Sequence, residues 1–353
     1  MGGSFWFALR LLAIVLGALA LAWQPSAAWV ERAYANGVYP GWEHAAFAIT
    51  RGLPWSLGDF AAAAGVAAII WRIVTFVRRR PARRRNMAAF GMLLFDIAAI
   101  VGVYAIWFEV SWGWNYARAP IETRVRFDPA RVTPAAAVAL RSRAMAQMNA
   151  LAAAAHARSA EPLDLNALRA AWLPAVASVG DAWVPDVGAA KPTVANPFME
   201  ATGTSGFVNP LTLNVQIASD ALWFERPFDQ AHEWSHLAAY AREDEANYLA
   251  ILTSLRSPDP VVRYSGWFEL FLYLPPKARY ARRDFVPLVW QDFAAMRQRN
   301  ARHINTRLAH WTWRTYNAYL KSNRIASGIE NYNEVTRLIL GVPLDAGGLP
   351  EAR

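Results

Sequence analysis

Residues 229–247 read Asp229-Gln-Ala-His232-Glu233-Trp-Ser-His236-Leu-Ala-Ala-Tyr-Ala-Arg-Glu243-Asp244-Glu245-Ala246-Asn247. The stretch contains HExxH. Asp229 is a suitable N-cap, so the motif is expected on a helix. Two histidines four residues apart then project from one face and can share an ion. Glu233 reaches a metal-bound water without itself being a ligand. Zinc lowers the pKa of such a water toward about 7, and a nearby carboxylate takes its proton. The plain alternative is a surface helix with two solvated histidines. Against it, the chain has six histidines in all and two of them fall here. The flanking Phe228, Ala231, Trp234, Leu237, Ala238 and Ala239 are apolar, as on a helix buried over much of its surface.

A zinc site of this kind needs a third protein ligand and one open position. Glu243 is the first candidate and Glu245 the second. On one straight helix Glu243 lies seven residues past His236, roughly 10 Å along the axis, far beyond a bond of about 2 Å. If Glu243 binds metal, the helix must end within residues 237–240 and the chain must double back. No Gly or Pro in residues 238–242 favours that turn. The run Glu243-Asp244-Glu245 ahead of apolar residues 248–255 reads as the acidic first turn of a new helix, which dipole complementation alone would also explain.

Upstream, residues 211–217 alternate Leu211, Leu213, Val215 and Ile217 with Thr212, Asn214 and Gln216, the period-two pattern of a strand with one polar face. Such a strand can bind extended peptide by strand addition or be plain structure. Further upstream the pattern is helical. Thr133-Pro134 caps an Ala-rich helix running to about Ala157, and Asp164 caps another running to about Val179. Downstream, helices continue to a last one over residues 328–340, stopped by Gly341 and Pro343. Tyr264, after the motif, is a candidate oxyanion donor as well as a candidate packing residue. His303 and His310 on an Arg-rich segment suit solvated or capping roles, and His44 and His156 show no partner pattern.

The first third differs in kind. Residues 5–23, 57–77 and 87–107 are apolar runs, each near the roughly 20 residues that cross a hydrocarbon core. Cleavage of the first as a signal peptide, with Ser26-Ala27-Ala28 as the small-residue site, is the alternative for that run. Arg10, Arg72 and Asp96 lie inside these runs, where an unpaired charge is costly. Asp96 is expected to pair with one of the arginines. Six arginines crowd residues 78–85. A short, strongly basic loop stays cytoplasmic, which places residues 24–56 and everything after 112 outside the cytoplasm.

Composition agrees. Of 353 residues, 55% are hydrophobic and 18% charged, which excludes a disordered or fibrous chain. Lys plus Arg number 36 against 27 Asp plus Glu, net +9, but without the arginine block the net falls to about +3, and a nucleic-acid partner loses its support. The absence of cysteine excludes disulfides and thiolate metal sites. Many of the 17 tryptophans stand near the ends of the apolar runs, where their rings suit a lipid–water boundary.

HExxH followed by a Glu-x-x-Ala-Asp/Asn element resembles the gluzincin metallopeptidases. That resemblance implies His232, His236 and Glu243 as zinc ligands and Glu233 as general base. Asn247 stands where those families usually carry an aspartate that supports a zinc histidine. The chain also resembles, over nearly its whole length, the bacterial membrane family called domain of unknown function 3810. The shared features are Gly37-Val38-Tyr39-Pro40, Trp114-Asn115-Tyr116-Ala117-Arg118, the HExxH motif, Ala241-Arg242-Glu243-Asp244-Glu245-Ala246-Asn247-Tyr248, Arg263-Tyr264-Ser265-Gly266 and Tyr319-Leu320-Lys321-Ser322.

The expectation is a mainly α protein in two parts. Residues 1–112 form a membrane anchor of three transmembrane helices. Residues 113–353 form an extracytoplasmic zincin-like α+β metallopeptidase domain with a small sheet. Its partners are the lipid bilayer and a peptide or protein substrate. Its expected reaction is peptide-bond hydrolysis by a zinc-activated water, with His232, His236 and Glu243 on the metal and Glu233 and Tyr264 catalytic. The alternative is a catalytically silent, membrane-tethered binding or sensing protein on the same scaffold. The intact Glu233 favours the enzyme. A channel or transporter is disfavoured by having three spans and one central acid.

Overall fold

The computed structural model describes residues 2–79, 83–180, 183–274, 281–322 and 331–343, with 345 and 351. The chain is mainly helical with one two-stranded sheet. It opens on α1 (Gly2–Ala22). A short turn α2 (Ala27–Trp29) then continues as a π-helix (Val30–Val38) into α3 (Tyr39–Thr50), and α4 (Leu57–Arg79) and α5 (Arg83–Ser111) follow. Within α1, α4 and α5, the segments Ser4–Ala22, Leu57–Arg78 and Met87–Ser111 are long and apolar enough to cross a membrane, so this is a membrane protein. Phe5, Trp6, Val66, Ile70 and Trp71 on these helices are exposed, as lipid-facing side chains must be. The centre of the basic stretch at residues 78–85 lies outside the described residues.

Helices α1 and α5 approach backbone to backbone at Gly17 and Gly102, where a Cβ on Gly17 would fall 2.6 Å from the Gly102 Cα. Small residues permit this close crossing where lipid provides no hydrophobic drive for association. Asp96 of α5 is buried against its neighbours and takes both arginines, not one. Arg10 Nη1 of α1 lies 3.1 Å from Asp96 Oδ1, and Arg72 Nη2 of α4 bonds Oδ2. Both α1 and α4 pack on α5, so each brings its own arginine to the same acid.

Residues within 30–46 pack into the core of the later helices. Val30, Tyr34, Tyr39 and Ala46 are buried in one continuous apolar cluster with Leu249, Phe268 and Ile339. The expected caps are present: Thr133 Oγ1 accepts from Ala136 N at 3.1 Å and starts α6 (Pro134–His156), and Asp164 Oδ1 starts α7 (Leu165–Ala177). After α8 (Asn196–Thr202), β1 (Gly206–Val208) pairs antiparallel with β2 (Val215–Ile217), Gly206 opposite Ile217 and Val208 opposite Val215. The expected strand over 211–217 is therefore only its last three residues. The first part turns, with Leu213 at φ +53 and Asn209 Oδ1 accepting from Leu211 N at 3.0 Å. A side chain that imitates a backbone turn overrode the alternation.

The remaining helices are α9 (Arg226–Leu237), α10 (Glu243–Arg256), α11 (Pro260–Tyr273), α12 (Pro287–His303), α13 (Thr306–Ser322) and α14 (Asn331–Gly341). The expected start of the last helix at residue 328 lies outside the described residues. Helix α9 begins three residues before Asp229, with Pro227 in its first turn and Glu225 at the cap position. Asp229 is thus inside the helix, not its cap. Helix α10 is surrounded by α7, α9, α11 and α14 and is buried from Glu243 to Leu255. The acidic first turn expected there is present and lies in the interior.

Candidate metal centre

Three donors converge where α9 ends and α10 begins. His232 Nε2 lies 3.2 Å and His236 Nε2 3.6 Å from the same Glu243 Oε2. In a tetrahedron with ligand distances near 2.1 Å, donor atoms stand about 3.4 Å apart, so these separations fit a zinc-sized ion. His236 Nδ1 lies 2.7 Å from the Tyr240 carbonyl. Donation to that oxygen keeps a proton on Nδ1 and aims Nε2 at the cluster.

The turn between the helices forms without Gly or Pro. Ala239 takes it at φ +68, a conformation costing a non-glycine residue roughly 1–2 kcal/mol. Side chains from far along the chain brace it. Tyr39 Oη donates to the Leu237 carbonyl at 3.2 Å, and Arg118 Nη1 donates to the Ala238 carbonyl at 3.2 Å. These satisfy carbonyls that a helix C-terminus leaves without partners. Arg118 is itself held by Glu31, through Nε and Nη2 at 3.2 Å each.

The two acidic candidates are well separated in role. Glu243 Oε1 accepts from Tyr316 Oη at 2.6 Å while Oε2 faces the histidines. Glu245 points elsewhere: its Oε1 accepts from Ile121 N at 2.9 Å, and Arg242, Arg118 and Arg124 act on its charge. Burial pushes the Glu243 carboxyl up, but its bonds to His232 and His236 overcome this and hold it well below the usual range. Burial pulls His236 down, yet Glu243, Glu233 and the Tyr240 carbonyl lift it to about 9. His232 stays lowered, chiefly by burial. Asn247 stands beside His232, and its Oδ1 accepts from Tyr273 Oη at 3.1 Å.

Glu233 is buried next to the cluster, and its Oε2 has no hydrogen-bond partner. A Cβ at Gly206 would come 2.6 Å from Glu233 Oε1, so β1 lies flat on this carboxylate because its residue there is glycine. Desolvation raises the Glu233 carboxyl well above its ordinary value, with Glu243 and Asp229 adding to the rise and His236 opposing it. A cavity of about 870 Å³ opens over the site, roofed by α13 with Trp311, Trp313, Tyr316 and Tyr319 and floored in part by β1.

Tyr264 is not brought to this cluster. It is buried in the core, its hydroxyl bonded to Asp292 Oδ2 and its ring stacked on Trp223, and it does not line the cavity. The face of α11 that carries it turns inward, and Tyr273 at the end of the same helix is the phenol near the site. His44 and His156 each have a carboxylate partner, Asp186 Oδ2 at 2.8 Å and Asp292 Oδ2 at 2.9 Å. His303 faces Glu200 and Asp220, and His310 is exposed.

Several site residues have no local signal: Trp112, whose ring packs edge-on against His236, and the pair Tyr116 and Tyr319, whose hydroxyls meet at 3.2 Å. Tyr316 and Tyr319, three apart on an amphipathic helix, share a face, and that spacing is the one hint available.

The family model described as "Protein of unknown function (DUF3810)" matches residues 34–340, and the chain belongs to that family. No curated protein and no solved structure matches the chain.

Proposed function

We propose that this protein is a membrane-anchored zinc metallopeptidase of gluzincin type, with its catalytic side outside the cytoplasm. The observation that carries the reading is the convergence of His232 Nε2, His236 Nε2 and Glu243 Oε2 at tetrahedral-edge distances, with the buried Glu233 beside them. The donor set, two neutral imidazoles and one carboxylate, is that of a catalytic zinc site with an open position. Bound zinc supplies Lewis acidity and acidifies a water. Glu233 then accepts a proton from the attacking water and returns it to the departing amine, a task its desolvated carboxylate suits. Tyr316 orients Glu243, and the Tyr240 carbonyl orients His236. Beside Glu233, β1 and the apolar cavity offer an extended peptide a wall to lie along.

The orientation rests on the basic stretch at residues 78–85, which is retained on the cytoplasmic side. A reporter active only outside the cytoplasm is expected to work when fused after Asn115 or Arg353 and to fail within residues 78–85. The reverse pattern places the site inside the cell. The activity is tested with the purified full chain on a mixed peptide library. Cleavage should stop on chelation, return with zinc, and be absent in Glu233→Gln that still holds its metal. Cleavage that survives in the zinc-loaded Glu233→Gln variant contradicts the assignment.

A further inference from the structure

The cavity sits on the ends of the apolar helices. Three contacts place it there. The ring of Trp23, just past α1, lies 4.9 Å from that of Trp114. Leu57 N, at the start of α4, donates to Asn214 Oδ1 at 3.1 Å. Ser111 Oγ, at the end of α5, donates to the Pro210 carbonyl at 2.6 Å. Pro210 lines the cavity, and so does Trp112, the residue after α5, whose ring lies 5.8 Å from that of His236. One ring therefore separates a proposed zinc ligand from the end of Met87–Ser111, an apolar segment of 25 residues. Crossing a bilayer, a helix of that length rises roughly 37 Å against about 30 Å of hydrocarbon, so its end stands in the headgroup layer.

The walls of the cavity reach the same level. Asp59 of α4 holds the chain just before α8, its Oδ1 accepting from Thr193 Oγ1 and its Oδ2 from Val194 N, both at 2.9 Å. Near the other end of α8 the Ala201 carbonyl accepts from Asn305 N at 2.8 Å, where α13 begins. Helix α13 then returns to α5, its Tyr319 ring 6.1 Å from that of Phe108, inside the apolar segment. Helices α8 and α13 thus form two sides of a frame whose third side is the ends of α4 and α5. Phe198 of α8, Trp311 of α13 and Leu272 of α11 line the cavity and are exposed. Exposed apolar side chains at headgroup depth suit lipid tails or an apolar stretch of polypeptide. Strand β1 decides between these. It lines the cavity and, among the described residues, pairs with β2 on one side only. Its other edge offers backbone hydrogen bonds that a polypeptide can use and an acyl chain cannot.

We propose, resting on the peptide-binding reading above, that the cavity opens at the bilayer surface and takes the juxtamembrane stretch of a membrane-anchored protein. The test uses the full chain, zinc-loaded and carrying Glu233→Gln so that captured peptide stays uncut, in phosphatidylcholine vesicles. One benzophenone-bearing peptide is presented free, or on a synthetic transmembrane anchor through a flexible linker of about 4 or about 30 residues. The short linker spans at most roughly 14 Å, the long one about 30 Å on average. Crosslinks to cavity residues are quantified by mass spectrometry. The short-linker peptide should be captured at least as well as the long-linker one, and about tenfold or more above the free peptide at equal bulk concentration. Capture through the long linker but not the short one puts the mouth away from the bilayer and overturns the inference, as does equal capture of free and tethered peptide. Either result leaves the peptidase standing. Capture of none of the three sinks the peptide reading and the inference together. Short-linker capture by a protein whose zinc-loaded wild type cuts no peptide would sink the peptidase and leave the docking site. Because the chain has no cysteine, Phe198→Cys and Trp311→Cys each accept a single fluorophore. Lipid with a nitroxide on its headgroup should quench both labels. Quenching at neither position overturns the placement of the mouth, whatever the peptides do.

Discussion

The apolar helices α1, α4 and α5 and the helical core around α9 and α10 both bury charge among apolar side chains, and they resolve it differently. In the apolar helices, Asp96 lies between Arg10 and Arg72, and each of its two oxygens faces an arginine of the chain. At the junction of α9 and α10, two imidazoles and a carboxylate also meet, but His232 and His236 both aim at one oxygen of Glu243. The other oxygen is held by Tyr316, and Glu233 beside them keeps an oxygen without a partner. The first cluster is one acid between two arginines, and it ties three apolar helices together. The second has the donors and the spacing of a site completed from outside. Burial of charge alone does not mark function; donors left facing one point do.

The comparison can be broken from either side. The largest effect should be at Glu243. Glu243→Gln replaces an anionic ligand with a neutral amide and should weaken zinc affinity about 100-fold or more, by competition with a chelator. Glu245→Gln should leave zinc affinity within about threefold, since its carboxylate serves Ile121 N and nearby arginines. If Glu245→Gln loses the metal, the third ligand is two residues further on. Next is the anchor: Asp96→Ala leaves two arginines without their acid and should cost about 3–5 kcal/mol in detergent unfolding, yet leave the zinc content untouched. Loss of zinc in that variant would join two regions that this account keeps separate.

A smaller effect concerns pH. The folded metal-free chain holds a proton on His236 up to about 9, above the ordinary value near 6.5. Proton and metal compete for Nε2, so zinc affinity should climb as pH rises toward about 9 and flatten beyond. The same shift stabilises the metal-free fold fully below pH about 6.5, and this contribution fades as pH rises through the folded value. Zinc affinity that is flat between pH 6 and 9 would contradict a protonated His236. The smallest effect is at the turn. Ala239→Gly removes the left-handed strain and should raise stability by up to about 1 kcal/mol with zinc unchanged. Destabilisation there would mean the alanine methyl packs better than its backbone is strained.

What the sequence conveys follows the range of the interactions. HExxH puts two histidines on one helix face by local geometry, and the caps at Thr133 and Asp164 are likewise local. The need for a chain reversal before Glu243 follows from helix rise alone. What holds the reversal is not legible, because Tyr39 and Arg118 come from residues more than a hundred positions away. Tyr316 reaches Glu243 from 73 residues downstream for the same reason. Pattern alone misplaces Tyr264 and the strand at 211–214. A tyrosine near an expected site carries no sign of which way its helix face turns, and Asn209 diverts an alternating run into a turn. Asp229 looks like a cap because Pro227, the second residue of the helix, gives a weaker local signal than an aspartate before apolar residues.

Metal analysis of the purified full chain beside His232→Ala and His236→Ala tests the central claim most directly. About one zinc per chain is expected in the wild type and close to none in either histidine variant, since two of three ligands cannot hold a catalytic ion tightly. Equal zinc in all three proteins, or none in the wild type after zinc loading and desalting, would contradict the site.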